Sequence, residues 1–257
     1  MQKELYIEFE NENISSRKVG SILVLELKRE AFHLIIDLDE SFEMLDWFNL
    51  ISKDKGIKGL LIIGDQNAYC DEAYAQYLSE VTGEKILPDK KHAIKSFKEK
   101  NKREIEINML NNFTRMFIEN PKIIIAAMSG CVASPFWGLS LVADLRIAAE
   151  NTEFHLSDKL YDLYPSGALP FFLKKHIGLS KTQEIIFTKD KITAAEARSL
   201  GLLNGLVSKD NFKSDSISYA NKILEYDYEY FKNAKILIQH SLLEEYNRYQ
   251  DKTLIMI

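Results

Sequence analysis

The chain has 257 residues, 46% hydrophobic and 28% charged, enough for one large globular domain with a sizeable core. Its 33 basic and 38 acidic residues leave a formal net charge of -5, which argues against a general nucleic-acid binder. No run of about 18 apolar residues exists to span a membrane. No apolar leader is visible in MQKELYIEFENENISS, and the two cysteines, Cys70 and Cys131, make no disulfide framework, so the expected compartment is the cytoplasm.

In chain order, ELYIEFE and SILVLELK alternate as paired strands do. DESFEMLDWFNLISKD carries apolar residues at helical spacing, with acids at its start and Lys53 near its end. IKGLLIIG is a continuous apolar run of the kind buried on both faces of a parallel sheet, as are KIIIAAMSG and the shorter DLRIAAE. Residues 83–112 are Lys-rich and polar, and predict a loop followed by a helix running to about Asn120. That segment reads either as a solvated helix face or as a cationic rim for a phosphorylated carrier or cofactor.

From Pro170 the pattern is helical, with Thr193 and Glu196 spaced as a capping box and Gly201 placed as a helix-ending glycine. The alternation of strands and helices predicts an α/β fold with right-handed crossovers, a core over residues 1–210 and a helical C-terminal extension over 211–257. The apolar stripes of that extension, ISYANKIL and AKILIQHSLL, require a partner surface in this chain or another subunit.

Three segments together resemble the crotonase (enoyl-CoA hydratase/isomerase) superfamily: AYCDEAY at 68–74, PKIIIAAMSGCVASPFWGLSLVADLRIAAENTEF at 121–154, and ITAAEARSLGLLNGLV at 192–207. The resemblance covers about residues 20–210 and implies a crotonase-type spiral of βαβ units, assembled as a homotrimer or hexamer. FHLSDKLYDLYPSGALPFFLKKHIG at 154–178, with Gly138, further resembles the dehydratases of polyketide β-branching, which act on 3-hydroxy-3-methylglutaryl-acyl carrier protein. The partner so implied is an acyl carrier protein or a coenzyme A thioester. No metal or redox cofactor is expected, because the sequence shows neither metal-ligand spacing nor a nucleotide-binding glycine fingerprint.

Such chemistry requires a polarised thioester carbonyl, a proton-transfer group and a cleft for the pantetheine arm. By resemblance, the first oxyanion N–H falls at Ala73. The second falls at Pro135, which has no N–H, so Phe136 is the expected substitute. Asp158 stands where the family carries a proton-transfer glutamate, and Tyr77, four residues after Ala73, is a candidate hydrogen-bond donor to substrate. Cys70, Asp71, Ser134, Pro135, Gly138, Tyr161 and Pro165 are the matching substrate-binding positions, although both cysteines also read as buried apolar residues. Among the histidines, His155 and His240 lie nearest the family's active-site segments. The leading expectation is dehydration of a carrier-bound 3-hydroxyacyl thioester. The alternatives are a hydratase/isomerase-like enzyme on another acyl-CoA and a catalytically impaired binding or assembly subunit.

Overall fold

The computed structural model describes residues 7–11, 13–28 and 31–253. The N-terminal segment forms β1 (Phe9–Glu10), β2 (Ile14–Val19) and β3 (Ile22–Leu27), an antiparallel ribbon turned at Gly20. β2 is not evident in the sequence because a serine holds one of its inward positions. Ser16 is buried and donates its hydroxyl to the carbonyl of Ile7 at 2.7 Å.

Next come α1 (Ala31–Ile36), α2 (Leu38–Lys53), β4 (Gly59–Gly64), α3 (Asp71–Thr82) and α4 (Lys100–Glu119). α2 starts where the Asp37 side chain accepts from the Glu40 N–H, and α3 stops at left-handed Gly83. The Lys-rich loop preceding α4 pairs with residues 160 and 161 through the N–H groups of His92 and Ile94.

β5 (Ile123–Met128), β6 (Cys131–Val132), α5 (Ser134–Ser140), β7 (Leu145–Ala149), β8 (Glu153–His155) and α6 (Ser157–Leu160) follow. The remaining elements are α7 (Leu169–Thr188), β9 (Lys191–Thr193), α8 (Ala194–Ser199), β10 (Gly205–Val207), α9 (Phe212–Ile223), α10 (Tyr228–Ile238) and α11 (Leu242–Thr253). The capping box at Thr193 and Glu196 is formed with both hydrogen bonds, and α7 is interrupted at Gly178.

The main sheet has the order β1-β2-β3-β4-β5-β7-β10, parallel from β3 onward. Its central strands are the continuous apolar runs of the sequence, and both faces are covered. Leu25, Leu60, Ile124 and Ala126 join the large core beneath α1 to α5. Ile22, Leu61, Ile63 and Ile125 pack against Ala220 and Leu224 at α9 and its C-terminal end. A small second sheet, β6-β8-β9, lies beyond the carboxyl end of β5. The architecture is the expected α/β arrangement of βα units with a helical C-terminal region. Among the described residues no helix is long and apolar enough to cross a membrane.

Candidate functional site

The strand-to-helix turn between β6 and α5 has the shape the sequence leads one to expect, but its amides are occupied. The N–H of Ala133 donates to the carbonyl of Tyr69 at 3.0 Å, and that of Ser134 to Ser157 Oγ at 3.4 Å. Pro135 sits in the first turn of α5, where a missing N–H costs the helix nothing. The N–H groups of Phe136 and Trp137 both donate to the carbonyl of Ala133, at 3.1 and 2.9 Å. The substitute oxyanion donor expected at Phe136 is therefore already engaged. Its ring fills space as well, edge-on to Phe32 with centroids 4.9 Å apart and tilted against Tyr69. On the opposite side, Ala73 lies in the first turn of α3, where amides lack helical partners and the Cys70 side chain makes no capping hydrogen bond.

Asp158 is 2% exposed, and its carboxylate is saturated with donors. Tyr74 donates its hydroxyl to Oδ1 at 2.6 Å. Oδ2 accepts from Ser134 Oγ at 2.8 Å, from the Ser166 N–H at 2.9 Å and from Ser166 Oγ at 3.2 Å. Its own N–H donates back to Ser134 Oγ. The segment from Asp162 to Ala168 wraps over this carboxylate by taking left-handed backbone at Asp162, Gly167 and Ala168. Gly167 is required there, since a Cβ would stand 2.0 Å from the carbonyl oxygen of Pro135. Gly138 is required for the same contact, a Cβ there meeting the carbonyl oxygen of Gly167 at 2.4 Å. The site segments thus close on one another around Asp158.

Behind them runs a buried chain absent from the sequence reading. Arg103 Nη1 donates to Tyr74 Oη at 3.3 Å and to Glu106 Oε2 at 2.6 Å, and Tyr77 Oη donates to the same Glu106 oxygen at 2.7 Å. Glu106 Oε1 has no partner, and burial pushes this carboxyl above its usual range, against the pull of Arg103 and Tyr77. Tyr77, expected to face substrate, therefore holds a core carboxyl instead. The spacing of Arg103 and Glu106 on α4, and of Tyr74 and Tyr77 on α3, is the local trace this network leaves in the sequence.

The other candidate positions separate. Tyr161 is fully buried, edge-on to Tyr74, and its hydroxyl reaches the carbonyl of Leu87. Pro165 lines an outer groove of about 350 Å³ with Phe97, Arg103 and Tyr249. Cys70 is nearly buried, and burial pushes its thiol up to about 11. Asp71 turns away from the expected oxyanion toward β8. It accepts from Ser157 Oγ at 2.5 Å and pairs with His155 Nδ1 at 2.6 Å. Burial would lower the His155 imidazole, but hydrogen bonds to Asp71 and Cys131 outweigh it and carry it up to about 10. His240 is exposed in the turn between α10 and α11.

A partly open apolar cavity of about 90 Å³ does exist, at the carboxyl ends of β3, β4 and β5. It is lined by Leu27, Ile62, Met128, Phe136 and Leu139, among others, and none of its lining residues is a carboxylate. Tyr69 forms one wall, donating its hydroxyl to the carbonyl of Gly64 and accepting from the N–H of Ser129.

The profile of the Enoyl-CoA hydratase/isomerase family matches residues 17–254. The chain belongs to that family. It is 31% identical over 105 residues, 41% of each chain, to the Probable enoyl-CoA hydratase echA17 of Mycobacterium avium. It is 34% identical over 110 residues to the Probable enoyl-CoA hydratase 2, mitochondrial, of Arabidopsis thaliana, covering 42% of this chain and 36% of that one. The match thus spans about two-fifths of the length of these curated relatives. Among solved structures, an enoyl-CoA hydratase from Bacillus anthracis superposes with a TM-score of 0.74 at 21% identity, covering 96% of this chain and 92% of that one. Pseudomonas aeruginosa DspI superposes at 0.70 and 15% identity, covering 98% and 99%. At these identities the structural likeness establishes the fold. The family is the expected one; none of these matches points to the polyketide β-branching subgroup.

Proposed function

We propose that this chain is an acyl-thioester-binding member of the hydratase/isomerase family that does not run hydratase chemistry through its aligned carboxylate. The observation that carries this reading is the sealing of Asp158. A general acid or base must reach the reacting proton directly or through one water. Here both carboxylate oxygens are spent on Tyr74, Ser134 and Ser166, and the residue is buried. The loss of a second oxyanion donor points the same way, since one such donor contributes about 2.7–4 kcal/mol to a transition state. The apolar cavity at the strand ends supports binding of a short acyl group.

A second reading, a hydro-lyase acting on an acyl-CoA, is favoured by the hydratase names of the relatives. The narrower dehydration of carrier-bound 3-hydroxy-3-methylglutaryl rests on the 154–178 resemblance and needs the same sealed Asp158. Turnover assays with crotonyl-CoA and with the charged carrier protein separate these readings. The expected result is no hydration and no loss of water above background, in the native chain and in Pro135→Gly alike. That substitution restores an N–H but leaves Asp158 covered. Turnover that Asp158→Asn abolishes would overturn the proposal in favour of the hydro-lyase. Turnover confined to the carrier-bound substrate would favour the dehydratase.

A further inference from the structure

The small sheet holds a second group of side chains that the hydrogen bonds around Asp158 leave unused. β6 and β8 run parallel with Cys131 opposite Glu153, so His155, two residues on, shares the face of Cys131. Val132 and Phe154 occupy the other face and are buried in the core, which fixes the ladder. Asp71, the first residue of α3, meets this face from the neighbouring helix. Its Oδ2 is 2.6 Å from His155 Nδ1. One donor atom from each of Asp71, Cys131 and His155 lies within 4.8 Å of the other two.

We propose that Asp71, Cys131 and His155 form a binding site for a divalent transition-metal ion of the zinc class. One thiolate, one imidazole and one carboxylate make the mixed sulfur, nitrogen and oxygen set that borderline-soft ions take, whereas calcium and magnesium require oxygen ligands. Zinc bonds of about 2.0–2.3 Å hold tetrahedral ligand atoms about 3.3–3.6 Å apart, so the ion displaces the proton of the 2.6 Å Asp71–His155 hydrogen bond, opens that pair and draws the rest of the group inward. The support expected behind a ligating carboxylate is present. Ser157 Oγ donates to Asp71 Oδ1 and leaves Oδ2 aimed at the group. The three residues line an open groove of about 370 Å³ whose other charged side chains are Glu72, Asp89, Asp190 and Lys191. Three protein ligands facing such a groove leave a fourth position for water or a small anionic ligand, the arrangement of zinc sites that do chemistry. Sequence spacing does not reveal this set because its members come from α3, β6 and β8.

The test is a titration of the purified full chain with Co²⁺, a spectroscopic substitute for Zn²⁺. Saturation at a single equivalent is expected, with a near-ultraviolet thiolate-to-cobalt charge-transfer band that Zn²⁺ displaces. Cys131→Ser is expected to abolish that band, and Ser157→Ala to weaken Zn²⁺ binding at least about 10-fold. A readout on the unsubstituted chain guards against variants that fail to fold. Zn²⁺ is expected to slow iodoacetamide labelling of Cys131 at least 10-fold, read by peptide mass, with the buried Cys70 as reference. Absence of the charge-transfer band, Zn²⁺ binding undiminished in Cys131→Ser, or labelling of Cys131 unaffected by Zn²⁺ would each overturn the proposal.

Discussion

Replacing Arg103 with methionine is expected to cost about 3–5 kcal/mol of stability at neutral pH, because it leaves Glu106 buried without its cation. The pH dependence of that loss identifies its cause. Burial already pushes the Glu106 carboxyl up, and Arg103 is the leading influence pulling it down. Without the guanidinium the folded-state value rises further above the unfolded one. A carboxyl shifted upward contributes its stability below the unfolded value and loses it as pH rises through the folded value. The Arg103→Met deficit is therefore expected to be largest near pH 7 and to shrink as pH falls toward about 4.3. Urea denaturation between those limits measures it. Arg103→Met combined with Glu106→Leu is expected to recover most of the loss at neutral pH, since an apolar replacement of a buried pair is often close to neutral. A deficit that stays constant with pH would show that Arg103 acts through packing alone.

Asp158→Ala is the second large expected effect. It strands the Tyr74 hydroxyl, the Ser134 hydroxyl and the Ser166 N–H at a buried position, for a predicted loss of about 3–5 kcal/mol. At 2–4 °C per kcal/mol for a chain of this size, the melting temperature should fall by roughly 6–20 °C. Asp158→Asn keeps the volume and one acceptor, so its expected loss is smaller. A proton-transfer residue shows the opposite profile, in which Asn preserves stability and removes turnover. Thermal melts of both variants, set beside the turnover assays, distinguish a carboxylate that holds the 162–168 segment in place from one that moves protons.

The parts of the fold visible in the sequence are those with a local period. Continuous apolar runs mark β4 and β5, and a shorter one β7, because a strand covered on both faces cannot alternate. Thr193 and Glu196 mark the start of α8, because a capping box closes within one turn. The position of Asp158 in the chain was equally legible, but its surroundings were not. Its donors lie 84, 24 and 8 residues away, and left-handed backbone at Gly167 and Ala168 brings the last of them in. Pro135 announces the missing N–H. That Phe136 cannot replace it depends on the Ala133 carbonyl accepting two N–H groups at once, a detail of turn geometry. The pairing of Asp71 with His155, which turns an acid away from the oxyanion position, spans 84 residues and has no sequence signature.

The most direct measurement is a crystal structure with a non-hydrolysable short-chain acyl-pantetheine bound. The expected result places the acyl tail in the apolar cavity beside Phe136 and Met128, with Asp158 still held by Tyr74, Ser134 and Ser166. A thioester oxygen about 3 Å from the N–H groups of Ala73 and Phe136, with Asp158 released toward the acyl chain, would contradict it, as would failure of the ligand to bind at all.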